Sequence, residues 1–220
     1  TKIPDGAYSG NRTIVEITIP SSVISIGSQA FEGCTSLVKV NMPNSIQSIE
    51  SEAFLGCCSL TTINLPSSIT TIDHGAFEGC NSLKNIELPS SLSIIEWGLF
   101  KDCSSLEKIT IPPYITHIDR YAFSDCTSLI TISIHCPLES ISSFCFHGCT
   151  RLEEVEIVST KLVSIDLHAF SYCSSLKKIN LPNSLVTIGS NAFNKCISLK
   201  EVIIPSSVVS IGDYAFYKCS

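Results

Sequence analysis

The chain has 220 residues, 44% of them hydrophobic and only 15% charged, with a formal net charge of −6 and twelve cysteines. That composition suits a well-packed domain, and an acidic balance without any cluster of Lys or Arg excludes an unspecific nucleic-acid surface. No apolar run approaches the length needed to cross a bilayer, and no signal peptide opens the sequence.

Read from the start, the sequence repeats itself. "SQAFEGCTSL" at 28–37 returns as "SEAFLGCCSL" at 51–60 and as "HGAFEGCNSL" at 74–83. An aromatic recurs at Tyr8, Phe31, Phe54, Phe77, Phe100, Phe123, Phe146, Phe170, Phe193 and Phe216, at a spacing of 23 residues six times, 24 once and 23 twice more. A fixed period of this size decides the architecture before local propensity does. Within one period the apolar residues keep fixed columns, as in Leu60, Ile63, Leu65, Ile69, Ile72, Ala76, Phe77 and Cys80. The stretch Leu60 to Leu65 ends in strand-like alternation, closed by Pro66, which cannot donate to a sheet ladder. From Ile72 through Ala76, Phe77 and Cys80 the spacing becomes that of one face of a short helical turn. Gly10, Gly33, Gly56, Gly79 and Gly148 follow the aromatic by two residues, where a left-handed cap favours glycine.

A module this small cannot bury its apolar face alone, so the modules must stack around one continuous core as a right-handed solenoid of the α/β class. Residues 1–220 form a single domain of nine to ten modules. Nine strands beginning near Ile14, Leu37, Leu60, Leu83, Leu106, Leu129, Leu152, Leu176 and Leu199 are expected to build one parallel sheet about 40 Å long, with the helical turns on the other flank. Thr1 and Ser220 fall inside modules and no polar terminal cap is visible, which is what a fragment of a longer protein would show.

The pattern L-x-x-I-x-I/L-P-x-S-V/I/L-x-x-I-x-x-x-A-F-x-x-C-x-S, carried over the whole chain with exceptions such as Leu99 and Cys145 in the alanine column, resembles the BspA-type leucine-rich repeat. The resemblance implies a non-catalytic module of the adhesion type, extracellular or on a cell surface, binding a host protein, another cell or a glycan. An intracellular scaffold binding another protein is the alternative, because many reduced cysteines suit a reducing compartment.

Nine cysteines occupy one column: Cys34, Cys57, Cys80, Cys103, Cys126, Cys149, Cys173, Cys196 and Cys219, with Asn11 in the same place in the first module. That substitution points to a buried, reduced ladder and not to a disulfide framework. Cys58, Cys136 and Cys145 lie outside it. His135, His147 and Cys149 are near one another in sequence, but no C-x-x-C pair supplies chelating geometry, and no metal or cofactor is expected. Neither a nucleophile elbow, a phosphate loop nor H-E-x-x-H occurs, and the adjacent Asp73 and His74 read as a helix cap and its solvated neighbour.

Two surfaces are candidates for a partner. On the concave sheet face the outward columns include Lys39, Asn41, Thr62, Asn64, Asn85, Glu87, Lys108, Thr110, Glu154 and Glu156, which are polar and mixed in sign. On the outer flank, just before the Ala-Phe pair, most modules carry small polar residues, whereas successive middle modules carry His74, Trp97, Arg120 with Tyr121, Phe144, and Leu167 with His168. Trp, Tyr and Arg dominate binding hot spots. The same modules depart from the pattern at Tyr114, His135, Pro137 and Val158, and the one extra residue falls at 158–161.

Overall fold

The computed structural model describes residues 1–219, so Ser220, and the reading of it as the end of an interrupted module, lies outside the described residues. The chain winds as a solenoid with two rows of short parallel strands. The first row stands where it is expected, at Glu16–Thr18, Lys39–Asn41, Thr62–Ile63, Asn85–Glu87, Lys108–Thr110, Thr131–Ile134, Glu154–Ile157 and Lys178–Ile179, but its strands are hydrogen-bonded as three successive short sheets and not as the single sheet expected. Its registers pair equivalent residues of successive coils, Glu16 with Lys39 with Thr62, and Thr131 with Glu154 with Lys178. Strands begin two residues after the leucines that signal them. The ninth, expected after Leu199, is not formed, since residues 201–205 run without strand pairing.

The second row was not anticipated. It consists of ten two-residue strands, among them Ser25–Ile26, Ser48–Ile49, Thr71–Ile72, His117–Ile118 and Ser164–Ile165. Ser, Thr and a β-branched Ile suit a half-buried extended pair, with the Ile turned inward and its neighbour outward. Equivalent pairs lie side by side because the coils run in one sense, so all pairing is parallel.

The expected helical turns are absent: among the described residues there is no helix, and the fold is an all-β solenoid. The backbone shows why. In the second coil the N–H groups of Ala30, Glu32 and Cys34 donate to the carbonyls of Gly27, Gln29 and Phe31, three residues back. The N–H groups between them, on Gln29, Phe31 and Gly33, donate instead to Ser51, Ala53 and Leu55 of the next coil, at 2.9, 2.8 and 2.7 Å. A helix would need every N–H for its own i−4 carbonyl, and half of them are committed to the neighbouring coil. Two left-handed residues per coil make this possible. One column holds Gln29, Glu52, Tyr121, Phe144 and His168 at φ between 56° and 60° together with Gly6, Gly75 and Gly98; the other is the glycine column after the aromatic, with Gly33 at 63°. The glycines were read correctly as left-handed, though they turn a chain of tight bends and cap no helix. Coil-to-coil hydrogen bonds therefore tie the flank together as they do the sheets.

The core follows the repeat columns. The aromatic ladder from Tyr8 to Phe216 is stacked throughout, with centroids 5.1 to 5.8 Å apart and planes within 14° of parallel. Beside it each ladder thiol donates to the carbonyl of the aromatic in the preceding coil, Cys34 to Tyr8, Cys57 to Phe31, Cys103 to Phe77 and Cys149 to Phe123, at 3.1 to 3.2 Å. Asn11 fills the same column differently: its side-chain oxygen accepts the N–H groups of Thr13 and Ile14 in its own loop. After six of the eight first-row strands a Pro carbonyl closes a tight turn, as in Val23 N–H to Pro20 and Ile69 N–H to Pro66, the exceptions being the strands before His135 and Val158. The Ser two residues after this Pro then bonds the preceding coil, Ser45 to Val23 at 2.6 Å, Ser184 to Leu162 at 2.8 Å, and Ser91 to Ile69.

Candidate interaction surfaces

The first-row strands point their polar columns to solvent, as the alternation requires: Val40, Ile86 and Ile109 are buried while Lys39, Asn85, Glu87, Lys108 and Thr110 are exposed. Much of this face is paired within itself. Lys39 Nζ lies 3.0 Å from Glu16, Asn41 donates to Glu16 and Thr18, and Lys178 bonds Glu154 at 2.6 Å. Ser133 donates to Glu156. Lys178–Ile179 ends early, and the Asn180 amide takes over its ladder, accepting the Ile157 N–H at 2.8 Å and donating to the Ile157 carbonyl at 2.6 Å. On the middle coils Asn85, Glu87, Lys108 and Thr110 carry no such side-chain bond among the described residues and border a shallow groove between their strands. Thr62 and Asn64 adjoin it one coil earlier.

The flank gathers most of its candidates into one structure. Trp97 meets Tyr121 at 5.7 Å between centroids; Tyr121 stacks on Phe144 at 4.8 Å, and Phe144 on His168 at 4.7 Å. The strip extends beyond the sequence expectation. His147 sits edge-on to Phe144 and Tyr172, and Lys195 Nζ lies 4.3 Å over the Tyr172 ring. The signal for these was available in the glycine column after the aromatic, where Tyr172 and Lys195 replace Gly. Trp97 is 37% exposed and Leu167 42%. Arg120 projects beside them in the exposed column.

The strip shares its backbone geometry with the rest of its column, where Gln29, Glu52, Asn191 and Tyr214 are left-handed as well, and its bulky stacked rings are what differ. Tyr121, Phe144 and His168 all hold φ near 60° in a column that the preceding two coils fill with Gly75 and Gly98. A left-handed backbone costs a side-chain-bearing residue about 1–2 kcal/mol, and bulky rings rarely stand there. Ser171 lies underneath, its hydroxyl within 2.6 Å of His147 Nδ1 and 3.2 Å of His168 Nδ1. Burial, and then the neighbouring His147, hold the His168 pKa below the ordinary histidine value.

His74 is not part of the strip. It meets Asp73 and Ser51, both through Nδ1, at 3.2 and 3.1 Å, while the Ser51 hydroxyl donates to Asp73 at 2.9 Å. A nucleophilic triad needs the two ring nitrogens on opposite partners, so this trio lacks a relay despite its composition. With no helix to cap, Asp73 instead receives the His74 N–H; burial raises its pKa, and the His74 and Ser51 hydrogen bonds outweigh that and leave it below the ordinary carboxylate range. Glu50, Asp73, Glu96 and Asp119 share one column on successive coils, a feature the sequence reading passed over. Glu96 is pushed up by burial and by Asp73 and Asp119 on either side.

The departures at Tyr114, Val158, His135 and Pro137 are all exposed, with Tyr114 at 70%. The extra residue is absorbed by buried Ser159, which bonds the Leu138 carbonyl and receives the Lys161 N–H. Among the described residues no group of three His, Cys, Asp or Glu side chains is arranged to hold a metal ion, and no helix is long and apolar enough to cross a membrane.

The family model for the BspA type leucine rich repeat region matches in six copies, over residues 1–129 and 95–220. A leucine rich cell surface protein from Faecalibacterium prausnitzii is 26% identical, with a TM-score of 0.58 over 100% of this chain and 74% of its own. A leucine rich repeat protein of T. pallidum is 28% identical with a TM-score of 0.60, over 85% of this chain and 78% of its own. The pneumococcal vaccine antigen PcpA, at 20% identity, shares the fold with a TM-score of 0.58 over 98% of this chain and 72% of its own. No curated protein matches. With matches that together run from the first residue to the last, the chain belongs to the BspA-type leucine-rich repeat family.

Proposed function

We propose that this chain is a non-catalytic interaction module of the adhesion type, displayed at a cell surface, whose docking surface is the aromatic strip on the outer flank. The carrying observation is the continuous stack of Trp97, Tyr121, Phe144 and His168, partly exposed rings on four consecutive coils of the outer flank. Exposed aromatic clusters of this extent mark interaction sites. The rings stack face to face along the solenoid axis, so they offer edges to solvent. Ring edges beside Arg120 suit a protein partner better than a sugar, which prefers an open aromatic face. Resemblance to the surface protein of F. prausnitzii supports display outside the cell.

The test is saturable binding of the fluorescently labelled chain to cultured host cells. Trp97→Ala with Tyr121→Ala is expected to weaken it about tenfold or more while the urea midpoint stays put. Binding untouched by this double change, but lost in Asn85→Ala with Lys108→Ala, would move the docking surface to the sheet face.

An intracellular scaffold is favoured by one observation, that all twelve cysteines are free. Antibody labelling of intact against permeabilised cells separates the two readings.

A further inference from the structure

The two halves of the outer flank differ in a way that makes the flank complementary to itself. In the left-handed column before the Ala-Phe pair, the first five coils hold Gly6, Gln29, Glu52, Gly75 and Gly98, and the last five hold Tyr121, Phe144, His168, Asn191 and Tyr214. Three glycines, an amide and an acid thus occupy one half, and four rings and an amide the other. A two-fold axis lying in the flank and perpendicular to the stack would superpose this column on itself in reverse, the fifth coil meeting the sixth and the fourth the seventh. Tyr121 would then face Gly98 of a second copy, and Phe144 would face Gly75. Glu52 would face His168, and Gln29 would face Asn191. One position earlier, Trp97 would lie against Arg120, a cation–π pair made twice beside the axis. In the column after the aromatic Glu78 would meet His147, and in the next Gly56 would meet Tyr172. Like-charge meetings oppose these: Asp102 with Asp125 and, in the adjacent acidic column, Glu96 with Asp119 near the axis, and Glu50 with Asp166 and Asp5 with Asp213 further out. Lys101 and Lys2, at 3.6 and 2.8 Å from Asp102 and Asp5 and each also 2.6 Å from a glutamate, Glu78 and Glu50, offset part of this repulsion.

Two further features favour such a contact. Backbone hydrogen bonds join coil to coil along the flank, so its columns present a regular array to an antiparallel copy. The interface is isologous, the commonest form of closed self-association.

We infer that the outer flank binds a second copy of this chain, antiparallel, with the two-fold axis between the coils of Phe100 and Phe123. This rests on the flank being the docking surface, and a second copy seated there competes with a host-cell partner for Trp97 and Tyr121.

Glu52 and His168 sit five coils apart, about 24 Å within one chain, so any coupling between them must cross between copies. Sedimentation equilibrium of the whole chain is expected to show a dimer at micromolar concentration. Glu52→Lys or His168→Glu alone should each weaken it about tenfold, since each contact is made twice, and Glu52→Lys with His168→Glu together should recover most of the loss. Each substituted side chain is of a kind already found on left-handed positions of this flank, Glu52 and Lys195, so folding should hold. A chain that is monomeric throughout, or a dimer indifferent to all three changes, overturns the proposal. If a monomeric chain still loses cell binding through Trp97→Ala and Tyr121→Ala, the docking flank survives and only the second copy is removed as its occupant.

Discussion

Phe100→Ala tests the one-dimensional nature of the stack most directly. Phe100 is fully buried and lies between Phe77 at 5.8 Å and Phe123 at 5.6 Å, so the substitution removes a ring from the ladder and leaves a cavity at mid-length. Emptying a buried Phe site costs about 3–5 kcal/mol, of which two ring contacts at roughly 0.5–1.5 kcal/mol each form a substantial part. For a chain of this size about 4 kcal/mol corresponds to a drop of roughly 10 °C in melting temperature. Because each coil touches only its neighbours, the lesion also weakens the link between the two halves, and unfolding should split into two phases. The matching control is Phe216→Ala at the end of the ladder, where the ring is half-buried and stacks only on Phe193, so its cost should be about half as large and its unfolding should stay in one phase. Urea melts followed by circular dichroism and by calorimetry read both effects. A single transition for Phe100→Ala displaced by less than about 2 °C, or equal costs at the two positions, would refute the shared core.

The thiols give a second measurement: native protein should expose Cys58 to a thiol reagent at once and half-buried Cys219 slowly, while burial holds the other ten, their pKa values raised where a shift is resolved, unreactive until unfolding releases twelve reduced groups. Oxidised pairs in the unfolded, unreduced chain would contradict the ladder. Glu96, with its pKa raised, favours the folded state when protonated, and that contribution fades as pH rises through the folded value; Glu96→Gln should therefore raise the melting temperature at pH 7 and do little at pH 4. His168 behaves in the opposite sense, since a lowered pKa means the unfolded chain binds the proton more readily. Stability should fall as pH drops below about 6.5, and His168→Asn, matching Asn191 in the same column, should flatten that fall in pH-dependent melts.

Most of the core was legible because the period repeats it: Phe100, Cys103, Leu106 and Ile109 could be assigned to the interior by comparison with nine other modules, whatever their own propensity. The second row of strands was not legible, because a two-residue pair such as Ser48–Ile49 is too short to show a period of two and gains its partners only from coils 23 residues away. The flank failed for a related reason. Ala76, Phe77 and Cys80 fall inward in a succession of tight turns just as they would on a helical face, so side-chain spacing alone cannot separate the two.

What distinguishes them is where the N–H of Gly75 goes, to Trp97 in the next coil, and that bond has no trace in local sequence. The same fact explains why the aromatic strip could be located from sequence while its backbone could not. A left-handed residue is required in that column by the coil-to-coil bonding, which the first nine coils make regardless of side chain, so glycine there is a convenience and not a necessity. Freed from specifying the turn, the column can vary at a cost of about 1–2 kcal/mol per ring. Tyr121, Phe144 and His168 recover part of that cost by stacking on one another, since a lone ring in the column would lack the neighbours at 4.8 and 4.7 Å. The strip is therefore expected to be cooperative: Phe144→Gly, which restores the glycine of the earlier coils, should relieve backbone strain at its own position, leave overall stability nearly unchanged, and still disrupt docking by separating Tyr121 from His168.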